Sequence, residues 1–159
     1  MKRESRLRRS NTSTQRNRTK RSSHHVLSSS AAKFQQEITV KFMEILIMVK
    51  LYHWKTHSYA THKATDELYS KLNENIDKFM EVLFGKTQIR TNLVNCRKLS
   101  LIDLTSHEQL KREIEKCKSC LVDLSENSFM LKMTNTDLLN IRDEILGDLN
   151  QFLYLLTFK

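Results

Sequence analysis

Residues 53–81 read HWKTHSYATHKATDELYSKLNENIDKFME. Three of the chain's six histidines, His53, His57 and His62, stand here ahead of Asp66, Asp77 and Glu81. The single tryptophan, Trp54, follows the first of them. Imidazoles and carboxylates at helical spacing form either a solvated face or a metal site, and the flanking residues help to decide which. Upstream, Phe34, Ile38, Phe42, Ile45, Val49 and Tyr52 recur at three- and four-residue steps. That stripe predicts a helix from Ser30 to about Thr56, N-capped by Ser29 or Ser30. A tight connection around His57–Ala60 leads into a second helix. Its stripe is Leu68, Leu72, Ile76, Phe79 and Leu83, and Gly85 is expected to stop it.

Two more stripes follow. Leu110, Ile114, Cys117, Leu121 and Leu124 predict a third helix to about Ser125, entered through a capping-box pattern in Thr105-Ser106-His107-Glu108. Leu138, Ile141, Ile145, Leu149, Phe152 and Leu156 predict a fourth, from Asn135 to about Leu156, with Asp137 in its first turn where a negative charge suits the helix dipole. The chain has no proline and two glycines, too few for a turn-rich sheet protein. The expected fold is all-α, a four-helix bundle. The first two helices and the last two are joined by short connections, so each pair is an antiparallel hairpin. The link between the pairs, about 20 residues long, is enough to climb a bundle about 35 Å tall. Two hairpins joined by such a crossover make the ferritin-like arrangement. An up-down-up-down bundle with a free loop is the alternative.

Charge divides the chain. Residues 1–30 hold nine basic side chains (Lys2, Arg3, Arg6, Arg8, Arg9, Arg16, Arg18, Lys20 and Arg21) against one acid, Glu4, so this segment carries eight of the nine net positive charges. With little apolar content it is expected to be a disordered basic tail ahead of a bundle spanning 31–159. Such a polycation suits DNA through counterion release, without reading sequence. A sorting signal or a solubilising tail are the other readings of the same composition. No apolar run approaches the length of a membrane span, and an odd set of three cysteines suggests an intracellular, reducing compartment. Cys117 and Cys120 form a lone C-x2-C, weak as a zinc motif and more readily read as packing. Asp143, Glu144 and Asp148 read as a solvated face, with extra carboxylate ligands as the other reading.

Helix geometry constrains the central stretch. His62, Asp66, Asp77 and Glu81 fall in one sector beside the core stripe, mixed with Tyr69, Met80 and Phe84, which suggests a face covered by another chain. His62 and Asp77 lie about 22 Å apart along one helix and cannot share an ion within one chain. Two such helices paired antiparallel about a two-fold axis bring His62 and Asp66 of one chain to Asp77 and Glu81 of the other, twice. With His53 brought alongside His62 across the turn, the set is nitrogen and oxygen ligands without thiolate, a donor set suited to iron.

The motifs His53-Trp54, His62-x3-Asp66 and Asp77-x3-Glu81 resemble the signature of the Dps family, the mini-ferritins. The resemblance covers about 30 residues strongly. It implies a ferritin-like bundle, a ferroxidase site of His53, His62, Asp66, Asp77 and Glu81 shared between two subunits, and usually a twelve-subunit shell. It gives Trp54 a role as electron donor beside the site, and it matches a basic tail to DNA. The chain departs from the pattern in a shorter His53–His62 spacing, which leaves His57 as the alternative to His53, and in Val82 where the family usually has a basic residue. The phrases LYHWKTHSYATHKATDELY and NIRDEILGDLNQFLYLL also resemble uncharacterised ferritin-like proteins of large DNA viruses. A non-catalytic DNA-binding, packaging or protein-interaction bundle is the rival expectation.

Overall fold

The computed structural model describes residues 13–96, 98–132 and 134–158; for residues 13–28 and Lys132 it describes the backbone alone. Among the described residues the regular structure is helical, with no strand. Four α-helices are present among the described residues: α1 (Ser13–Lys55), α2 (Tyr59–Thr87), α3 (His107–Val122) and α4 (Thr136–Leu155). Two 3-10 turns, Asp123–Glu126 and Met130–Lys132, lie between α3 and α4.

The helices form where the apolar stripes run. Every expected core position of α1, α2 and α4 is buried, as are Leu110, Ile114, Leu121 and Leu124 after the link, while Cys117 is only partly so. Phe42 and Phe79 meet edge to face with ring centroids 5.3 Å apart, tying α1 to α2 at mid-height. Phe34 stacks on Phe129 at 4.8 Å and closes one end of the core.

Helix ends depart from expectation in three places. Helix α1 begins at Ser13, well before Ser29 and Ser30, because no proline or glycine interrupts the chain there. The basic residues Lys2, Arg3, Arg6, Arg8 and Arg9 lie outside the described residues, and Arg16, Arg18, Lys20 and Arg21 are described in backbone only. Helix α2 does not stop at Gly85. It continues to Thr87, and Gln88 takes the left-handed position at φ 54°, its N–H bonded to the Phe84 carbonyl. A polar side chain tolerates that conformation at modest cost, so glycine was not required. Helix α3 is capped one residue later than the box pattern implied: Ser106 is the cap, and its Oγ accepts from the Gln109 N–H at 3.2 Å.

Side-chain contacts fix the helix directions. A three-residue turn makes α1 and α2 antiparallel. Lys86 pairs with Asp137 at 2.6 Å while Lys71 donates to Gln151 at 2.8 Å, so α4 runs against α2. His107 contacts Thr61 at 3.0 Å and Lys41 lies 3.7 Å from Cys120, so α3 runs with α2. The link between α2 and α3 touches α1 in order. Gln35 donates to the Ile89 carbonyl and Gln36 to that of Asn92; further along, Glu44 accepts from the Ser100 N–H, and Lys55 pairs with Asp103 near the far end. Arg142, buried on α4, donates to the Leu121 carbonyl and to Ser125 Oγ, supplying the C-terminal end of α3 with a cation and donors. Asp143, Glu144 and Asp148 are engaged in pairs with Arg142, Lys78 and Lys71. Among the described residues no helix is long and apolar enough to cross a membrane.

Candidate functional site

The turn between α1 and α2 positions two histidines against each other. Ser58, with extended backbone (φ −88°, ψ 120°), caps α2 through Oγ on the Thr61 N–H at 3.3 Å. The Thr56 N–H closes the last turn of α1 on the Tyr52 carbonyl at 3.0 Å. His53, in the last turn of α1, and His62, one turn into α2, then stand abreast. Their rings stack with centroids 3.9 Å apart and planes 23° from parallel. His53 is buried and His62 half-buried.

Each ring is tied to the other residue's backbone. His53 Nδ1 lies 3.0 Å from the His62 carbonyl oxygen, and His62 Nδ1 lies 3.1 Å from the His53 carbonyl oxygen. A carbonyl only accepts, so both Nδ1 atoms carry the proton. In the neutral rings Nε2 is therefore the lone-pair nitrogen on both residues, the tautomer that binds metal through Nε2. Thr65 Oγ1, fully buried, lies 3.2 Å from His53 Nδ1 and donates back to helix carbonyls, at 2.8 Å to Thr61 and 3.0 Å to His62.

One carboxylate completes this half of the set. Asp66 Oδ1 lies 3.8 Å from His53 Nε2 and 3.7 Å from Lys50 Nζ. Two ligand atoms on one transition-metal ion, each about 2.1 Å from it, are about 3.0–3.4 Å apart. The observed separation is a little wider, and the Asp66 side chain is exposed. Lys50 Nζ also sits 4.7 Å above the Tyr69 ring, so a cation already neutralises Asp66 here.

The remaining expected ligands are elsewhere. Asp77 and Glu81 are exposed on the far half of α2, and among the described residues no three His, Cys, Asp or Glu side chains converge on one point. His57 is exposed in the turn. Trp54, which alone would read as a core residue, is 67% exposed, because its neighbour His53 occupies the inward position and the next residue projects about 100° away. Met43, Ile47, Lys50 and Trp54 follow one another at three- and four-residue steps on α1. Met43 and Trp54 are exposed and Ile47 half-buried. This strip and the half-buried Tyr69 and Phe84 of α2 surround the carboxylates with apolar area. The approach of His53 to His62 across the turn was expected from sequence; the reciprocal bonding of each ring to the other residue's carbonyl was not. Its trace there is the nine-residue spacing, which spans one helix turn on each side of a three-residue connection.

No curated protein and no solved structure matches the chain. Residues 53–156 match a family of unknown function, DUF5856. The matched span opens on His53, holds His62, Asp66, Asp77 and Glu81, and runs through α2, the link, α3 and α4. It covers well over half of the 159 residues, and the chain belongs to the DUF5856 family.

Proposed function

We propose that this protein is a Dps-like, ferritin-like iron-binding protein that oxidises Fe(II) at sites shared between two copies of the chain. The observation that carries the proposal is the His53–His62 pair. Its two Nδ1–H groups are held by backbone carbonyls, its Nε2 atoms are the lone-pair nitrogens, and Asp66 stands 3.8 Å from one of them. The order of contacts from the link to α1 and the direction of α3 support the ferritin-like crossover topology. The strip of Met43, Ile47 and Trp54 beside Tyr69 and Phe84 supports burial of this face against a second copy.

In that assembly His53, His62 and Asp66 of one chain face Asp77 and Glu81 of the other. Fe(II) is the substrate. Each of two ferrous ions gives up one electron to one molecule of peroxide; two protons are taken up, two waters leave, and dioxygen is the alternative acceptor. The three carboxylates favour the extra charge of Fe(III) over Fe(II), which is where this chain lowers the barrier. Lys50 holds Asp66 neutralised until a cation replaces it. Trp54, exposed next to His53, is placed to give an electron where the acceptor needs more than the iron supplies. The basic residues between Lys2 and Arg21 would keep DNA close through phosphate contacts.

The test is to mix purified protein with Fe(II) and peroxide and follow Fe(III) absorbance, with mass in solution and metal content measured on the same sample. The proposal expects saturable oxidation by a dimer or larger assembly, lost in Asp77→Ala plus Glu81→Ala. A monomer without iron, oxidising no faster than buffer, would remove it and leave a helical DNA-binding or interaction bundle.

A further inference from the structure

Helix α3 packs on α4 and stands off from α1, and the gap is a cavity of about 120 Å³. Its walls are apolar, among them Phe42, Ile45, Met48, Ile76, Leu121 and Ile145. The cause is local. On the α3 stripe, where Leu or Ile would fill the space, the chain has Cys117, and one turn on is Cys120, also short. Burial pushes the Cys117 thiol up to about 12, with the neighbouring Cys120 thiol adding to it, so Cys117 stays a neutral lining group. The mouth, between α1 and α3, is charged. Lys116 there is paired with Glu113 at 2.6 Å, and Glu44 accepts the Ser100 N–H at 3.1 Å. Lys41 has no carboxylate within ion-pair distance among the described residues, and its Nζ rests 3.7 Å from Cys120 Sγ.

An apolar cavity of about 150 Å³ in another helical protein stays dry and takes up benzene. The volume here is of that order, and here the entrance offers a cation without a counter-ion. We infer that the core of this bundle is a binding site for a small apolar monocarboxylate, its tail between α1 and α3 and its carboxylate on Lys41. The tail removes apolar wall atoms from water, and the head gives Lys41 a carboxylate partner. Glu44, three residues on along α1 at the same lip as Lys41, disfavours a dianion. The site uses none of His53, His62, Asp66, Asp77 or Glu81.

The experiment titrates the full chain with hexanoate by calorimetry and, in parallel, follows Cys120 alkylation by iodoacetamide with peptide mass spectrometry. Saturable binding at one site per chain is expected, with Cys120 alkylation slowed at saturation. Lys41→Met, at an exposed position that leaves the fold intact, should weaken hexanoate about tenfold or more, since a charge-assisted bond is lost. Cys117→Leu, which fills the cavity, should abolish binding while circular dichroism and thermal unfolding report an intact bundle. No saturable heat, equal affinity in Lys41→Met, or hexanoate still bound by a folded Cys117→Leu would each overturn the inference.

Discussion

The histidine pair makes a quantitative prediction that requires no metal. Replacing His53 by Ala removes one hydrogen bond to the His62 carbonyl, one face of a ring stack and the packing of a buried side chain. The bond contributes about 1 kcal/mol net and the stack about 0.5–1.5 kcal/mol. Thr65 Oγ1 stays 3.0 Å from the same carbonyl, so no acceptor is left orphaned. The total is about 2–4 kcal/mol of stability. His62→Ala removes the reciprocal bond and the same stack but less packing, and should cost about 1.5–2.5 kcal/mol. The decisive quantity is the coupling between them. Each hydrogen bond runs from a side chain to a backbone carbonyl that survives mutation of the other residue. Only the ring contact is shared, so the double-mutant cycle should return about 0.5–1.5 kcal/mol and not the sum of the bonds. Urea unfolding followed by far-ultraviolet circular dichroism measures all four corners of the cycle. Full additivity would show that the rings do not stack. A coupling of about 3 kcal/mol or more would show that the two side chains bond each other directly.

Two further outcomes follow from particular contacts. Lys86 donates to Asp137 and holds its carboxyl below the ordinary value of 3.8, helped by the Leu138 N–H. The folded-state value is depressed, so this contribution is fully present above about pH 4 and is lost as pH falls through the lower folded value. Asp137→Asn should therefore flatten the acid limb of a stability–pH curve while changing stability by under about 1 kcal/mol near neutrality, since the pair is half-exposed. Gly85 sits inside α2 with open space where a Cβ would stand. Gly85→Ala should raise stability by about 0.5–1 kcal/mol in thermal unfolding, whereas a loss would mean that the helix ends there after all.

The helix stripes were legible because burial imposes a 3.6-residue period on the sequence, and Leu68 through Leu83 and Leu138 through Leu156 went to the core accordingly. Ends were harder to read. Gly85 carries the residue type of a stop signal, but a helix stops where backbone bonding fails, and that is at Gln88. Ser29 and Ser30 offered caps that α1 passes through. Trp54 shows the same difficulty on another scale: its size suggests the core, yet its neighbour His53 holds the inward position. In the site, His53 meets His62 on one side and Asp66 on the other within one chain because a three-residue turn sets their register. The tautomer lock was hidden because its acceptors are backbone carbonyls, which no residue pattern encodes. Asp77 and Glu81 are kept from that group by about four turns of rigid helix. The cavity depends on how far α3 stands from α1, which two cysteines in a stripe only hint at.

The central claim is that each site is assembled from two chains, and mixing two inactive variants tests it most directly. Asp66→Ala damages one half of the site and Asp77→Ala plus Glu81→Ala the other, all at exposed positions. Each variant alone should fail to oxidise Fe(II). Unfolded and refolded together, half of the dimers carry one of each, and in those dimers one of the two sites has both halves intact. Oxidation should return to about one quarter of the wild-type rate. No recovery in mixtures shown by mass to contain mixed dimers would contradict a shared site.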